Sequence, residues 1–204
     1  MSEFDEKARE WDKNKMHLER TMAVAGQLQK LIPFRPNMTA LEFGAGTGLL
    51  SFYLKDRFSA ITLMDSSLEM LKMAEEKMET DDRSKFRTLF MDLEKEEYRG
   101  DLFDIIYSQM VLHHIVDTNA IFRKFNQLLT PGGILAIADL YAEDGSFHDG
   151  SADVHHGFDP DDLEEILLHE GFRDCRVAPC FVIRKEVSAE KVTEYPVFLL
   201  TAYR

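Results

Sequence analysis

Three glycines within five residues, in the segment LEFGAGTGLL at residues 41–50, are compatible with few folds. An apolar run precedes them, and the apolar residues from Leu49 onward predict the first turn of a helix. A strand, a glycine turn and a helix in this order place backbone N–H groups and the positive end of the helix dipole against a ligand. The segment therefore predicts one βα unit of a parallel sheet, with a binding site at its turn.

Strands and helices alternate through the middle of the chain. Apolar runs predict strands at residues 40–43, 60–64, 86–90, 103–107 and 134–138, with helical spacing of apolar residues between several of them. Ser67 predicts the N-cap of the helix that follows the second strand. This alternation is typical of a parallel sheet with helices on both faces. The sequence therefore predicts a doubly wound α/β fold.

The C-terminal part of the chain has a different pattern. Asp159 followed by Pro160 predicts the start of a helix, and two strand-like segments come after it, Cys175–Arg184 and Pro196–Tyr203. The gap of about a dozen residues between these two segments is short for a helical crossover. We therefore predict a seven-stranded, mostly parallel sheet whose last strand is antiparallel.

The composition limits the partners of the protein. The 204 residues are 45% hydrophobic, which suits one domain with a full core. A formal net charge of −13 disfavours nucleic acids and anionic membranes as main partners. No stretch approaches the roughly 20 apolar residues of a membrane span, and the charged start MSEFDEKAREWDK has no apolar signal core. We therefore expect a cytoplasmic protein.

The spacing of the glycines limits which class of ligand the loop can bind. A Walker loop requires GxxxxGK[ST] and a dinucleotide turn requires GxGxxG, whereas Gly44, Gly46 and Gly48 form GxGxG. A tight turn without a ligand is a further interpretation. Glu42 discriminates among these, because a carboxylate two positions before Gly44 would repel a pyrophosphate and would suit an ammonium or sulfonium group. Its alternative role is that of a capping or surface acid.

The pattern E-x-G-x-G-x-G at residues 42–48 resembles the class I S-adenosylmethionine-dependent methyltransferases. Asp65, at the end of the second predicted strand, matches the family's acid that accepts the two ribose hydroxyls. Asp92 matches the acid that meets the adenine amino group. FDIIYSQMVLHH at residues 103–114 resembles the fourth-strand motif, and LTPGG at residues 129–133 resembles the turn before strand five.

The resemblance implies S-adenosylmethionine as the cofactor and S-adenosylhomocysteine as its product. The residues that it implies for cofactor binding are Trp11, Glu42, Gly44, Ala45, Gly46, Gly48, Asp65, Ser66, Met70, Asp92, Leu93, Ser108, Gln109 and Met110.

The first residues are similar to a segment that often precedes this domain, F-D-x-x-A-x-x-W/Y-D, here FDEKAREWD at residues 4–12. Helical spacing places Trp11 on one face with the phenylalanine and the alanine of this motif. We expect residues 1–36 to form a helical lid, residues 37–140 the cofactor-binding core, and residues 141–204 a substrate-side loop, a helix and the final strands. Packing on the sheet edge is the alternative for the first helix.

Candidates for catalysis lie at the predicted ends of strands four and five, where open α/β sheets bind ligands. They are His113, His114, Asp139 and Tyr141. A histidine with a pKa near neutrality can take a proton from a hydroxyl or thiol group. Alternatively, the two histidines shape the loop, with one side chain buried and hydrogen-bonded.

Further histidines, His148, His155 and His156, share a loop with Asp149 and Asp153. Histidine and carboxylate side chains are metal ligands, but their spacing here matches no tight ligand pattern. We therefore predict no metal site and interpret the loop as a solvated lid.

These observations predict a methyltransferase acting on a small-molecule acceptor, with no nucleic-acid or membrane partner. The alternative is a protein that binds S-adenosylmethionine without transferring its methyl group. A dehydrogenase is disfavoured by the glycine spacing.

Overall fold

A computed structural model describes residues 5–6, 8–79, 82–148, 154–188 and 191–204 of the chain. Its α-helices are α1 (Lys15–Leu31), α2 (Leu49–Leu54), α3 (Leu68–Lys77), α4 (Thr118–Leu128) and α5 (Pro160–His169). Its strands are β1 (Thr39–Phe43), β2 (Ala60–Asp65), β3 (Phe86–Phe90), β4 (Phe103–Gln109), β5 (Leu129–Leu140), β6 (Arg173–Ser188) and β7 (Lys191–Tyr203).

The strands form one sheet in the order β3-β2-β1-β4-β5-β7-β6. The pairs from β3 to β5 are parallel, and β7 runs antiparallel to both β5 and β6. This arrangement confirms the predicted seven-stranded, doubly wound sheet with an antiparallel last strand. The strand order reverses between β1 and β4, so the connections that leave these two strands diverge and open a crevice at their carboxyl ends.

Side chains alternate along each strand between two hydrophobic clusters, one on each face of the sheet. Leu41 and Phe43 belong to the cluster that includes α4 and α5, whereas Ala40 belongs to the cluster that includes α1, α2 and α3. Strands buried on both faces explain why the sequence shows apolar runs rather than a polar and apolar alternation.

Two helix starts lie where the sequence predicted them. The Ser67 hydroxyl accepts a hydrogen bond from the Met70 N–H at 3.2 Å, and Asp159 caps α5 by accepting from the Asp161 N–H at 3.0 Å. Each side chain satisfies a backbone donor that has no partner inside its helix.

Some boundaries differ from the predicted ones. Strand β5 begins at Leu129, so the segment Pro131–Gly133 that was interpreted as a turn lies within the strand, where Leu129 pairs with Phe103. A 3₁₀-helix, Ala8–Lys13, occupies most of the predicted N-terminal helix. No helix among the described residues is long and apolar enough to cross a membrane.

Candidate active site

A cavity of about 680 Å³ opens at the carboxyl ends of β1, β2 and β4. The glycine loop, the N-terminal segment and the connection after β4 line it. Most residues that the resemblance implied for cofactor binding lie in its wall: Trp11, Glu42, Gly44, Ala45, Gly46, Asp65, Ser66, Met70, Asp92, Leu93, Gln109 and Met110. The structure therefore brings together residues that are far apart in the sequence.

Gly48 and Ser108 lie behind this wall. Gly48 precedes α2 with φ +73°, and a Cβ atom there would lie 2.9 Å from Leu63 Cδ1. The buried Ser108 hydroxyl donates a hydrogen bond to the Phe43 carbonyl at 2.9 Å, which joins β4 to the end of β1. Both residues support the shape of the loop.

Within the glycine loop, Gly44 is the residue whose backbone comes closest to a neighbouring side chain. Its φ is +64°, and a Cβ atom at this position would lie 2.4 Å from Val111 Cγ2. A side chain would therefore meet both a steric clash and an unfavourable backbone conformation.

Asp65 holds the glycine loop at the end of β2. Its Oδ2 accepts a hydrogen bond from the Gly46 N–H at 2.6 Å, and its Oδ1 accepts one from the Ser67 N–H at 2.7 Å. Desolvation raises the pKa of this carboxyl, and the backbone donors oppose the rise. Because each carboxylate oxygen has two lone pairs, Asp65 can hold the loop and still accept hydrogen bonds from a ligand in the cavity.

Glu42 is a buried acid at the end of β1. Glu42 is 3% exposed, and its carboxylate accepts hydrogen bonds from the Ser51 N–H, at 3.2 Å, and from the Ser51 hydroxyl. That hydroxyl lies 2.5 Å from the Tyr107 hydroxyl. Burial raises the pKa of Glu42 to about 8, although the bonds from Ser51 act in the opposite direction. The cavity wall therefore contains an acid that titrates near neutral pH.

Asp92 is more open to solvent and already has a basic partner. Its Oδ2 lies 2.6 Å from Lys95 Nζ, and this ammonium lowers the pKa of the Asp92 carboxyl. Its Oδ1 accepts from the Glu94 N–H at 3.1 Å.

Arg20, on α1, is a cavity residue that the sequence analysis did not identify. Arg20 is 4% exposed. Its Nη1 lies 3.8 Å from Met16 Sδ, and its buried Nε has no hydrogen-bond partner. Burial lowers its pKa to about 10, which the charge of Asp139 partly opposes. The signal in the sequence is its position, because Arg20, Val24 and Leu28 repeat every four residues on the buried face of α1.

The N-terminal segment crosses the glycine loop and is tied to it. Asp12 accepts hydrogen bonds from the Thr47 hydroxyl at 2.6 Å and from Lys77 Nζ at 2.5 Å. The Ser67 hydroxyl donates to Asp5 Oδ1 at 2.6 Å. Phe4, which the sequence placed on the same face as Trp11, lies outside the described residues. We call residues 5–6 and 8–13 with these contacts the strap.

His113 is fixed by Asp139. His113 is 1% exposed, and its Nδ1 lies 2.6 Å from Asp139 Oδ1. Asp139 itself is fully buried. His114, in the same turn, lines the cavity with it, and the two rings are 4.2 Å apart. His113 is thus buried and hydrogen-bonded, as expected if the two histidines shape the loop. Both histidines nevertheless line the cavity.

Tyr141 and two of the loop histidines lie elsewhere. Tyr141 is not part of the cavity wall, and its ring packs edge-on against Phe198. His155 Nε2 lies 2.9 Å from the Ile115 carbonyl oxygen, and His156 packs near Gly145. His148, by contrast, lies in the cavity wall. Asp149 and Asp153 lie outside the described residues.

The sequence is similar to those of known methyltransferases. A protein-family profile described as "Methyltransferase domain" matches residues 41–137. Phosphoethanolamine N-methyltransferase 3 of Arabidopsis thaliana is 32% identical over 111 residues, which are 53% of this chain and 22% of that protein. An uncharacterized methyltransferase of Schizosaccharomyces pombe is 29% identical over 145 residues, which are 67% of this chain and 49% of the relative. The chain thus spans between about a fifth and a half of these relatives.

Solved structures show the same fold. A Haloferax volcanii protein, described as a putative methyltransferase in complex with the Trm112 methyltransferase activator, matches with a TM-score of 0.78 and 19% identity over 100% of this chain and 97% of its own. Phosphoethanolamine N-methyltransferase 2 of Haemonchus contortus, in complex with phosphomonomethylethanolamine and S-adenosylhomocysteine, matches with a TM-score of 0.73 and 17% identity. That match covers 91% of this chain and 52% of the Haemonchus chain.

Proposed function

We propose that the protein transfers a methyl group from S-adenosylmethionine to a small-molecule acceptor. This is supported by the match of residues 41–137 to the methyltransferase-domain family and by the class I S-adenosylmethionine-dependent methyltransferase fold of the chain. When bound, the cofactor supplies an electrophilic methyl group on a sulfonium. The observation that carries the proposal is the set of charged groups in the cavity wall, which combines acids at the strand ends with one buried guanidinium, that of Arg20.

The acids suit the neutral and cationic parts of this cofactor. Asp65 would accept hydrogen bonds from the ribose hydroxyls, and Asp92 would meet the adenine amino group. Glu42 would face the sulfonium and ammonium end, because it lies at the end of β1 beside the glycine loop. The volume of about 680 Å³ lies within the usual range for ligand cavities, which is roughly 300–1,000 Å³.

Arg20 suits the carboxylate of the cofactor. Among the described residues that line the cavity it is the single arginine or lysine, and its Nε has no hydrogen-bond partner. A buried guanidinium without a paired carboxylate is costly, and an anionic ligand group removes that cost. Arg20 would therefore fix the methionine end, with Glu42 on the ammonium.

The acceptor would bind beside the histidine pair. The protein must align the nucleophile with the methyl group and the sulfur, and such orientation contributes up to about 7–11 kcal/mol in well-held cases. The strap would act as the predicted lid, because its bonds to Thr47, Ser67 and Lys77 flank Trp11, which is part of the cavity wall. A covered site excludes water from the displacement.

The first test is calorimetric titration of S-adenosylhomocysteine into the protein, with NADH as the control ligand. We expect binding in the micromolar range, about −8 kcal/mol, and no heat from NADH. Formation of S-adenosylhomocysteine from S-adenosylmethionine is then measured with a set of acceptors that includes phosphoethanolamine, the substrate in the names of several relatives. No binding of the product to folded protein would refute the proposal, and binding without any turnover across the set would favour the non-catalytic alternative.

The raised pKa of Glu42 predicts that binding depends on pH. A cationic ligand favours the ionised carboxylate, so below the pKa of about 8 the protein must release a proton to bind it. We expect the affinity for S-adenosylmethionine to rise from pH 6.5 to 8, by up to about tenfold per pH unit. Calorimetry at each pH, with Glu42→Gln as the control, measures the effect. If Glu42→Gln keeps the wild-type profile, another group causes the dependence.

A further inference from the structure

We infer that His113, His114 and His148 form a binding site for a divalent transition-metal ion such as Zn²⁺ on the acceptor side of the cavity. Nitrogen atoms of the three side chains all lie within 4.8 Å of one another. Three histidines with one open position are a common ligand set for catalytic zinc, and imidazole is also a good ligand for copper, nickel and iron.

The hydrogen bond to Asp139 prepares His113 as a ligand. Because a carboxylate has no proton to donate, the neutral His113 ring would carry its hydrogen on Nδ1, which lies 2.6 Å from Asp139, and would keep the lone pair on Nε2. A ligating histidine whose other nitrogen donates to a carboxylate is the usual arrangement at protein metal sites. Asp139 also accepts from the His113 backbone N–H at 3.3 Å, which fixes the turn that carries His114.

His148 reaches the pair from another part of the chain, in a turn whose preceding residues, Ser146 and Phe147, are anchored by hydrogen bonds. The Phe147 N–H donates to Glu143 Oε2 at 3.1 Å, and the Phe147 carbonyl accepts from Lys185 Nζ at 2.8 Å. The Ser146 and Tyr195 hydroxyls are 2.7 Å apart. These contacts place the His148 ring 5.0 Å from that of His113 and 5.2 Å from that of His114.

The distances between the histidine nitrogens would suit a metal ion after a small movement of the side chains. Zinc–nitrogen bonds of about 2.0–2.1 Å in a tetrahedral site place the ligand nitrogens roughly 3.3–3.5 Å apart. The 4.8 Å limit therefore requires the nitrogens to approach by at most about 1.5 Å, which rotations of the half-buried His114 and His148 side chains can provide. The spacing in the sequence did not reveal this set, because one ligand follows the other two by more than thirty residues.

The role of the ion, though not its binding, rests on the proposed function. A thiol or hydroxyl acceptor in the open position would release its proton to solvent and remain a nucleophile at neutral pH. Its lone pair would form the new bond to the methyl carbon as the carbon–sulfur bond breaks, and that electron pair would return to sulfur.

The test is a titration of Co²⁺, a spectroscopic substitute for Zn²⁺, into chelator-treated full-length protein. We expect a visible absorption band that Zn²⁺ abolishes, and at least tenfold weaker binding for His114→Ala and for His148→Ala. His169→Ala is the matched control, since its side chain is 84% exposed on α5 and should leave the titration unchanged. Thermal unfolding confirms that each variant is folded.

Calorimetry with S-adenosylhomocysteine on the same preparation separates the two proposals. Nucleoside binding without a cobalt band, or a band unaltered in both histidine variants, would overturn the metal site and leave the proposed function standing. A cobalt band that depends on His114 and His148 would support the metal site even in a protein that does not bind S-adenosylhomocysteine.

Discussion

Asp65→Ala should weaken the binding of S-adenosylhomocysteine by more than a hundredfold. Two ribose hydroxyls that donate to a carboxylate contribute about 1.5–3 kcal/mol each, so their loss together costs at least about 3 kcal/mol. The substitution also removes the acceptor of the Gly46 and Ser67 N–H groups, which loosens the glycine loop. Calorimetric titration of the variant measures the loss directly.

Two further variants separate the loss of the ribose contacts from the loosening of the loop. Asp65→Asn keeps one carbonyl acceptor for the loop but loses the charge, and should bind with intermediate affinity. Glu69→Ala, four residues further along, removes an acid whose carboxylate pairs with Lys72 outside the cavity wall, and should bind as wild type does. If Asp65→Ala retains wild-type affinity with its fold intact, the ribose does not bind at the end of β2.

Arg20→Leu should reduce affinity for S-adenosylhomocysteine by about a hundredfold, since a charge-assisted pair in a buried site is lost and a cofactor carboxylate is left without a partner. Affinity for 5′-methylthioadenosine, which lacks the amino-acid part, should change little. The difference between the two ligands therefore isolates the carboxylate contact.

Arg20→Lys is the companion variant for this experiment. It keeps the charge but not the planar array of donors, and should restore part of the affinity. An equal loss for both nucleosides in Arg20→Leu would show instead that the guanidinium supports the cavity wall as a packing element. Thermal unfolding of both variants reports any change in stability, because the leucine removes an ionised group from a buried position.

The parts of the fold and site that the sequence predicted are those set by short-range patterns. The glycine loop, Glu42 and Asp65 lie at the ends of adjacent strands, where βα order alone fixes the edge of the sheet on which they meet. Ser67 and Asp159 were recognisable as caps, because a cap acts within three residues of its own position.

The features that the sequence did not specify, namely Arg20 and the contacts among the candidate residues, depend on packing between distant elements. Arg20 reaches the cavity through the placement of α1, and no pattern inside the helix specifies the ligand it faces. His113 meets Asp139 because the register of β4 and β5 aligns their ends, and His148 joins them through an irregular turn. Tyr141, one residue beyond β5, is not part of the cavity wall, because its ring packs against Phe198 of β7.

The insertion of β7 between β5 and β6 has a consequence for synthesis on the ribosome. Strand β5 bonds to β4 on one edge and to β7 on the other, so its second edge stays open until residues 191–204 have emerged. Translation adds about 5–20 residues per second, and an unpaired apolar strand edge is a site for aggregation during that interval. The nascent chain has therefore completed most of the half that faces the nucleoside while the second edge of β5 is still unpaired. A chaperone would protect the chain from aggregation during this interval.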